Sequence, residues 1–199
     1  MKTIIVFCLL STAFVAPAFS QAKDVTFPAV PGSMEELVAL RNEIAVTPEG
    51  GAAAFLLAMI MYGEDRELGL QAFTLTLDMG DLVNGTVYKG YKPRSTWYEY
   101  FRQIDKFPFL GKIYVKGTKT DQGYALSAGS HAFTFTEVRA DRKGMMKVFV
   151  ATTSGNWPRP MLMIKNDKGL WKVKEASSVF VGPSAMPPLP KEERKPDEL

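Results

Sequence analysis

Cysteine and histidine are scarce in this chain of 199 residues, which contains one of each. A zinc site takes about four ligands, drawn mainly from these two residue types. The alternating carboxylates of a calcium-binding loop are also missing. We therefore expect no metal site and no cofactor.

Catalytic motifs are lacking as well. The sequence has no glycine-rich phosphate loop, no dinucleotide fingerprint, no His-Glu-x-x-His pair and no Gly-x-Ser-x-Gly elbow. His131, in "SAGSH", is the only histidine available as a base, and with an acidic residue such as Asp105 it forms a weak catalytic candidate. The alternative, which we favour, is that His131 is a turn residue between two strands.

Runs of charge of one sign are absent too. The chain has 24 Lys and Arg against 21 Asp and Glu, a net charge of +3, and its basic residues are scattered. Proteins that bind nucleic acid concentrate basic residues on one face or in one run. The sequence therefore argues against nucleic acid and favours a protein or a small-molecule ligand as the partner.

The first 20 residues have the pattern of a secretory signal peptide. Lys2 supplies a positive start, residues 4–16 are mainly apolar, and Ala18 and Ser20 place small residues at the expected cleavage site. The apolar run is shorter than the roughly 20 residues of a membrane span. We expect export to the periplasm or the extracellular space and no transmembrane span after cleavage. Cleavage also removes Cys8, which excludes disulfides.

The most apolar stretch is "GGAAAFLLAMIMYG", the 14 residues from 50 to 63, which carry no charge. As a helix this stretch is about 21 Å long, whereas the hydrocarbon core of a bilayer is about 30 Å thick. Thr47 can cap such a helix, and Pro48 suits its first position. Because a helix that is apolar on every side needs enclosure, we predict the central core helix here.

Three further helices are predicted from their capping residues and apolar spacing. Ser33 can begin the first of them, Asp65 can begin the second, and residues 94–107 form the third. Irregular structure is predicted for residues 78–93, where glycine and proline recur.

From Gly111 onward, hydrophobic residues alternate with polar ones, as in "FTFT" at residues 133–136. Asp or Asn precedes Gly in three connections, "TDQG", "DRKG" and "NDKG", as tight hairpins require. Strands are therefore predicted over residues 112–118, 123–128, 132–139, 145–153, 160–166 and 170–177. Together with the helices, this order predicts an α+β fold in which N-terminal helices pack on a curved antiparallel meander of about five to six strands.

One globular domain is predicted over residues 33–182. It follows an extended leader, residues 21–32, in which Pro28 and Pro31 disfavour a helix. Residues 183–199 are rich in proline and charge, and we predict a disordered tail.

An aromatic and basic segment is the best candidate for ligand binding. Tyrosine and tryptophan often line ligand sites, and one face of a helix cannot bury so many rings. The alternative is that these rings cap the core. The candidate residues are Tyr88, Tyr91, Arg94, Trp97, Tyr98 and Phe101, and a second candidate is the loop that carries Trp157 and Arg159.

Two short patterns depend on the source organism. Asn84-Gly85-Thr86 is a glycosylation sequon in a eukaryotic secreted protein and a turn otherwise. The final "PDEL" approaches an endoplasmic-reticulum retrieval signal, but proline replaces its first residue.

Three stretches, "TPEGGAAAFLLAMIMY", "EDRELGLQAFTLTL" and "KGLWKVKEASS", resemble small exported bacterial proteins of unknown function over residues 33–182. The order of helices followed by a meander also resembles the cone-shaped NTF2-like fold. Neither resemblance implies catalytic residues, and a fold alone does not assign a function.

The leading hypothesis is an exported protein that binds a ligand or a partner and catalyses nothing. The alternatives are an enzyme with a small-molecule pocket in an NTF2-like cone and a structural or assembly protein of the cell envelope.

Overall fold

A computed structural model describes residues 22–155, 157–184 and 186–187. The predicted signal peptide, residues 1–20, and the end of the predicted tail, residues 188–199, lie outside the described residues. Within the described ranges, no helix is both long enough and apolar enough to cross a bilayer.

Among the described residues, four α-helices occur in the first half of the domain. Their bounds are Met34–Ile44 (α1), Pro48–Glu64 (α2), Arg66–Thr76 (α3) and Ser95–Lys106 (α4). The side chains of Ser33, Thr47 and Asp65 accept hydrogen bonds from the first-turn amides of α1, α2 and α3. These three starts confirm the predictions made from capping residues, since each cap satisfies a free amide at the helix end.

The strands form a five-stranded antiparallel sheet and a separate hairpin. The sheet has the order β1-β4-β5-β6-β7, and the hairpin joins β2 to β3. Their bounds are Lys23–Phe27 (β1), Leu82–Tyr88 (β2), Tyr91–Pro93 (β3), His131–Ala140 (β4), Met146–Val150 (β5), Arg159–Lys165 (β6) and Trp171–Glu175 (β7). The α+β class, the antiparallel sheet and the hairpins at "DRKG" and "NDKG" are thereby confirmed.

Two of the predicted strands are wrong. Residues 112–118 and 123–128 lie in loops and short 3₁₀ turns, Leu110–Tyr114 and Thr120–Gln122. The hairpin predicted at "TDQG" is therefore wrong as well. The buried residues Leu110, Ile113 and Tyr114 are three and four positions apart, which is a helical spacing. Only Val115 makes a single bridge to the sheet.

Two segments are more ordered than predicted. Residues 78–93 were expected to be irregular but contain the β2–β3 hairpin, whose connection has a positive φ at Lys89 and Gly90. Residues 21–32, expected to be an extended leader, contain β1, which pairs with β4 and brings Val25 opposite Phe133. The sheet therefore begins before the predicted domain boundary at residue 33.

Helix α2 is the centre of the core, as predicted. Every residue from Glu49 to Tyr62 is buried, and α2 contacts each strand of the five-stranded sheet. Gly51 permits this approach, because a Cβ there would lie 2.6 Å from the carbonyl oxygen of Trp171 in β7. Gly69 of α3 similarly lets the two helices touch, since its Cβ would lie 2.1 Å from the Cα of Tyr62.

Both edges of the sheet reach the start of α2. The ammonium of Lys23 in β1 lies 3.2 Å from the carboxylate of the buried Glu49. At the other edge, the N–H of Trp171 in β7 donates to the carbonyl of Ala45, 2.8 Å away, just before α2. A sheet whose two edges meet one helix end curves around that helix, so the predicted curvature is present.

We expect Leu57→Lys to prevent folding. Leu57 has no exposed surface, and an unpaired ammonium in an apolar interior costs several kcal/mol out of a total stability of about 5–15 kcal/mol. Circular dichroism and urea unfolding measure the effect. Val46→Lys is the control, since Val46 is 56% exposed, and it retains the cooperative transition. A soluble Leu57→Lys protein with an unchanged midpoint would contradict the placement of α2.

Candidate functional site

The aromatic and basic segment divides into a buried face and an open face of α4. Trp97 is 4% exposed and Phe101 is 1% exposed. Phe101 stacks on Phe73 with ring centroids 4.3 Å apart, and Trp97 meets the edge of Phe55 at 5.9 Å. The rings of Trp97 and Phe101 therefore complete the core against α2 and α3, which agrees with the alternative that these rings cap the core, and a ligand-binding role for them stays a prediction.

The open face of α4 borders a groove of about 650 Å³, which we name the α4 groove. Two predicted ligand-binding residues, Arg94 and Tyr98, line it. Its full lining is Val83, Lys92, Pro93, Arg94, Ser95, Thr96, Tyr98, Glu99 and Arg102. The β2–β3 hairpin supplies one wall and the first two turns of α4 supply the other.

The α4 groove carries positive charge. Three of its lining residues are cationic and one, Glu99, is anionic. Glu99 pairs with Arg102 one turn further along the helix. Arg94 donates from Nε to the carbonyl of Gly80 at 2.8 Å, which orients its guanidinium. Within the described part of the chain Lys92 forms no ion pair, so its positive charge is available to an anionic ligand.

The amino end of α4 opens into the same groove. No side chain caps this helix, so the prediction that a capping residue begins it is wrong. The N–H groups of Ser95 and Thr96 donate to no backbone carbonyl of a described residue. Free amides and the helix dipole both favour a negative group at this position.

The other predicted ligand-binding residues lie elsewhere. Tyr88 is half-buried beneath the ammonium of Lys89, which lies 5.3 Å from its ring centroid. Tyr91 is 36% exposed, and Trp157 is 88% exposed in the loop before β6. Arg159 begins β6 and is half-buried. None of these four side chains lines the α4 groove.

The weak catalytic pair is not assembled. His131 is the first residue of β4, and its ring packs 5.4 Å from that of Phe27. Asp105 lies on α4 and pairs with Arg66 at 3.4 Å. Burial, with a smaller effect from the charge of Asp105, raises the pKa of the neighbouring Tyr62 to about 12. No described contact joins His131 to Asp105, and a catalytic role for either residue stays a prediction.

One known protein family matches most of this chain. A family described as a domain of unknown function, DUF6935, matches residues 29–186. The chain belongs to this family. No curated protein and no solved structure matches the chain significantly, and the similarity to NTF2-like proteins stays a prediction. The match covers all four helices, both walls of the α4 groove and the sheet except β1.

The described residues of this DUF6935 chain hold no group of three histidine, cysteine or acidic side chains that could bind a metal ion. The expected lack of a cofactor stays a prediction.

Two neighbouring half-buried cations, Lys172 and Arg41, were not predicted from the sequence. Lys172 alternates with apolar residues in "LWKVKE", an alternation that is typical of a solvated strand face. Its ammonium nevertheless donates to the carbonyl of Leu75 in the last turn of α3. Arg41, in the last turn of α1, has a buried Nε with no hydrogen-bond partner among the described residues. Burial, and then the charge of Arg41, lower the pKa of Lys172 to about 8.

Helix ends explain why both cations persist there. The last turn of a helix presents free carbonyl groups and partial negative charge, which favour a nearby cation. Lys172 satisfies one such carbonyl on α3, and Arg41 lies in the last turn of α1. The pattern of alternation could not reveal this, because it ignores which helix end lies over the strand.

We expect Lys172→Met to stabilise the protein near pH 7. Below about pH 8 the lysine is charged in both states, and the folded state bears the cost of burial. Between about pH 8 and 10.5 the unfolded chain binds more protons, so the stability of the natural protein rises with pH. Methionine removes that cost and loses one hydrogen bond, for a net gain of about 1–2 kcal/mol at pH 7.

Urea unfolding at about pH 7 and about pH 9.5 measures both effects. Lys174→Met is the matched control on the same strand. Hydrogen bonds to Asp81 and Asp78 raise the pKa of Lys174, so its removal lowers stability and leaves the rise with pH in place. A Lys172→Met protein that is less stable at pH 7, with the rise retained, would contradict the buried-cation assignment.

Proposed function

We propose that this chain is an exported, non-catalytic binding protein and that its α4 groove holds an anionic ligand. The observation that carries the proposal is that Lys92, Arg94 and Arg102 line one groove of about 650 Å³ together with the uncapped amino end of α4. A volume of this size suits a small molecule.

The chemistry of the groove supports a phosphate, sulfate or carboxylate group as the anchor. The guanidinium of Arg94 can offer parallel donors to such a group. Ser95 and Thr96, whose amides donate to no described backbone carbonyl, line the same groove. Tyr98, half-buried at the groove wall, supplies an aromatic surface for an apolar or sugar part of the ligand. Glu99 already neutralises Arg102, which leaves Lys92 and Arg94 as the main anion-binding residues.

The proposed location rests on residues 1–20. Their positive start, apolar run and small residues support export, with the periplasm or the extracellular space as the destination. The family match does not bear on this location, because the family is described only as a domain of unknown function.

Trp157 supports a second candidate function, contact with another protein of the cell envelope. Its indole is 88% exposed on a loop beside Pro158. Exposed tryptophans are frequent anchors of protein interfaces. This contact would use a surface separate from the α4 groove, so both functions are compatible with one chain.

We expect inorganic phosphate, sulfate or citrate to bind the protein made from residue 21 onward, and Lys92→Ala and Arg94→Ala to weaken that binding by about ten-fold or more each. Titration calorimetry at two salt concentrations measures the affinity, which falls with added salt because the contact is electrostatic. Lys119→Ala is the control, since Lys119 is exposed and does not line the groove.

Unchanged affinity in both groove variants, or no binding of the three anions, would overturn the proposal. Thermal melting of each variant shows that the fold is intact, which matters because Arg94 also holds the Gly80 carbonyl.

A further inference from the structure

A second, larger groove lies on a different part of the molecule. It has a volume of about 750 Å³ and is bordered by the end of β1, the loop that follows it and one face of α1. We name it the β1–α1 groove. None of its lining residues lines the α4 groove.

The wall formed by α1 is a regular stripe. Glu36, Ala39, Leu40, Glu43 and Ile44 line the groove and follow the i, i+3, i+4, i+7, i+8 spacing of one helix face. The centre of the stripe is apolar, and its two carboxylates, Glu36 and Glu43, lie about two helix turns apart. Leu37, on another face of α1, is fully buried and fixes the helix to the core.

The opposite wall includes the last two residues of an edge strand, Thr26 and Phe27 of β1. Among the described residues β4 is the only strand that pairs with β1, so the outer edge of β1 has unpaired N–H and C=O groups. Such an edge is a template for another extended segment. Thr26 and Phe27 of β1 line the groove directly, and Val30 continues its apolar surface.

The charge of the groove indicates what kind of segment fits. Glu36 and Glu43 line it, and no lysine or arginine does among the described residues. The carboxylate of Glu36 accepts a hydrogen bond from the amide of Gly32 at 2.8 Å. Glu43 has no ion-pair or hydrogen-bond partner in the described part of the chain, so it is available to a cation.

We propose that the β1–α1 groove docks an extended, basic peptide segment of a partner protein. The segment adds to the outer edge of β1, places apolar side chains against Leu40 and Ile44, and pairs a lysine or arginine with Glu43. The sign of the charge is opposite to that of the α4 groove, so this surface selects a different partner and does not depend on the proposed ligand.

Fluorescence anisotropy tests the docking of such a segment with a labelled peptide of about eight alternating valine and lysine residues. This length covers the five residues of β1. Two matched peptides replace lysine by glutamate or carry N-methyl groups on alternate backbone nitrogens. We expect the lysine peptide to bind and both matched peptides to bind about ten-fold more weakly or worse. Protection of the β1 amides from hydrogen exchange on binding shows that the strand edge is used.

Glu43→Lys is the decisive variant and Glu35→Lys is its control. Glu35 is exposed on the same helix but does not line the groove. We expect Glu43→Lys to weaken the lysine peptide by about ten-fold or more and to improve the glutamate peptide. Glu35→Lys leaves both affinities within about two-fold.

Several results would overturn the proposal. These are no binding of the lysine peptide at about 1 mM, equal effects of the two variants, or binding that ignores backbone methylation. Self-association of the protein through β1, seen as a dimer that Glu43→Lys does not alter, would assign the edge to a second copy instead.

Discussion

The enclosure of α2 is the constraint on which the rest of the structure depends. A helix with no polar side from Gly50 to Gly63 must have protein on all sides, and one sheet face covers only part of its circumference. The five strands curve around one side, and α1, α3, α4 and the 3₁₀ turn at Leu110–Tyr114 cover the remainder. Each covering element has one face committed to α2, and its other face is left for contacts with solvent or partners.

This division of faces produces the two grooves. On α4 the buried face holds Trp97, Phe101 and Ile104, while Arg102 lies on the opposite side and Arg94 precedes the uncapped amino end. On α1 the buried residues are Met34 and Leu37, and the next face around the helix carries Glu36 and Glu43. The two surfaces therefore arise from the same packing requirement, and they differ in charge because the polar residues of the two helices differ.

Local signals in the sequence predicted the local structure well. The caps Ser33, Thr47 and Asp65 act within one helix turn, and the "DRKG" and "NDKG" connections act within one hairpin, so their neighbours along the chain are sufficient to identify them. Local signals failed at "TDQG" and at the uncapped start of α4. The other failures depend on distant contacts. Leu110, Ile113 and Tyr114 lie in the 3₁₀ turn that packs on α2. Lys172 bonds to a helix end 97 residues earlier in the chain. Of the residues predicted from the sequence to bind a ligand, Arg94 and Tyr98 line the α4 groove. The sequence could not show which side of α4 faces the core, because that side is set by contacts with Phe55 and Phe73.

The position of β1 has a consequence for the order in which the chain can fold. Asp24, in β1, accepts a hydrogen bond from Thr134, which lies 110 residues further along the chain. When the chain is synthesised from its N-terminus, β1 is made first. Its described pairing partner, β4, is made only after the four helices. Closing so long a loop costs entropy before any contact repays it, and contacts of this separation slow folding. The edge strand is therefore among the last elements that can join the sheet, and until β4 is available the segment around Val25 and Phe27 remains an unpaired apolar strand that a chaperone could hold.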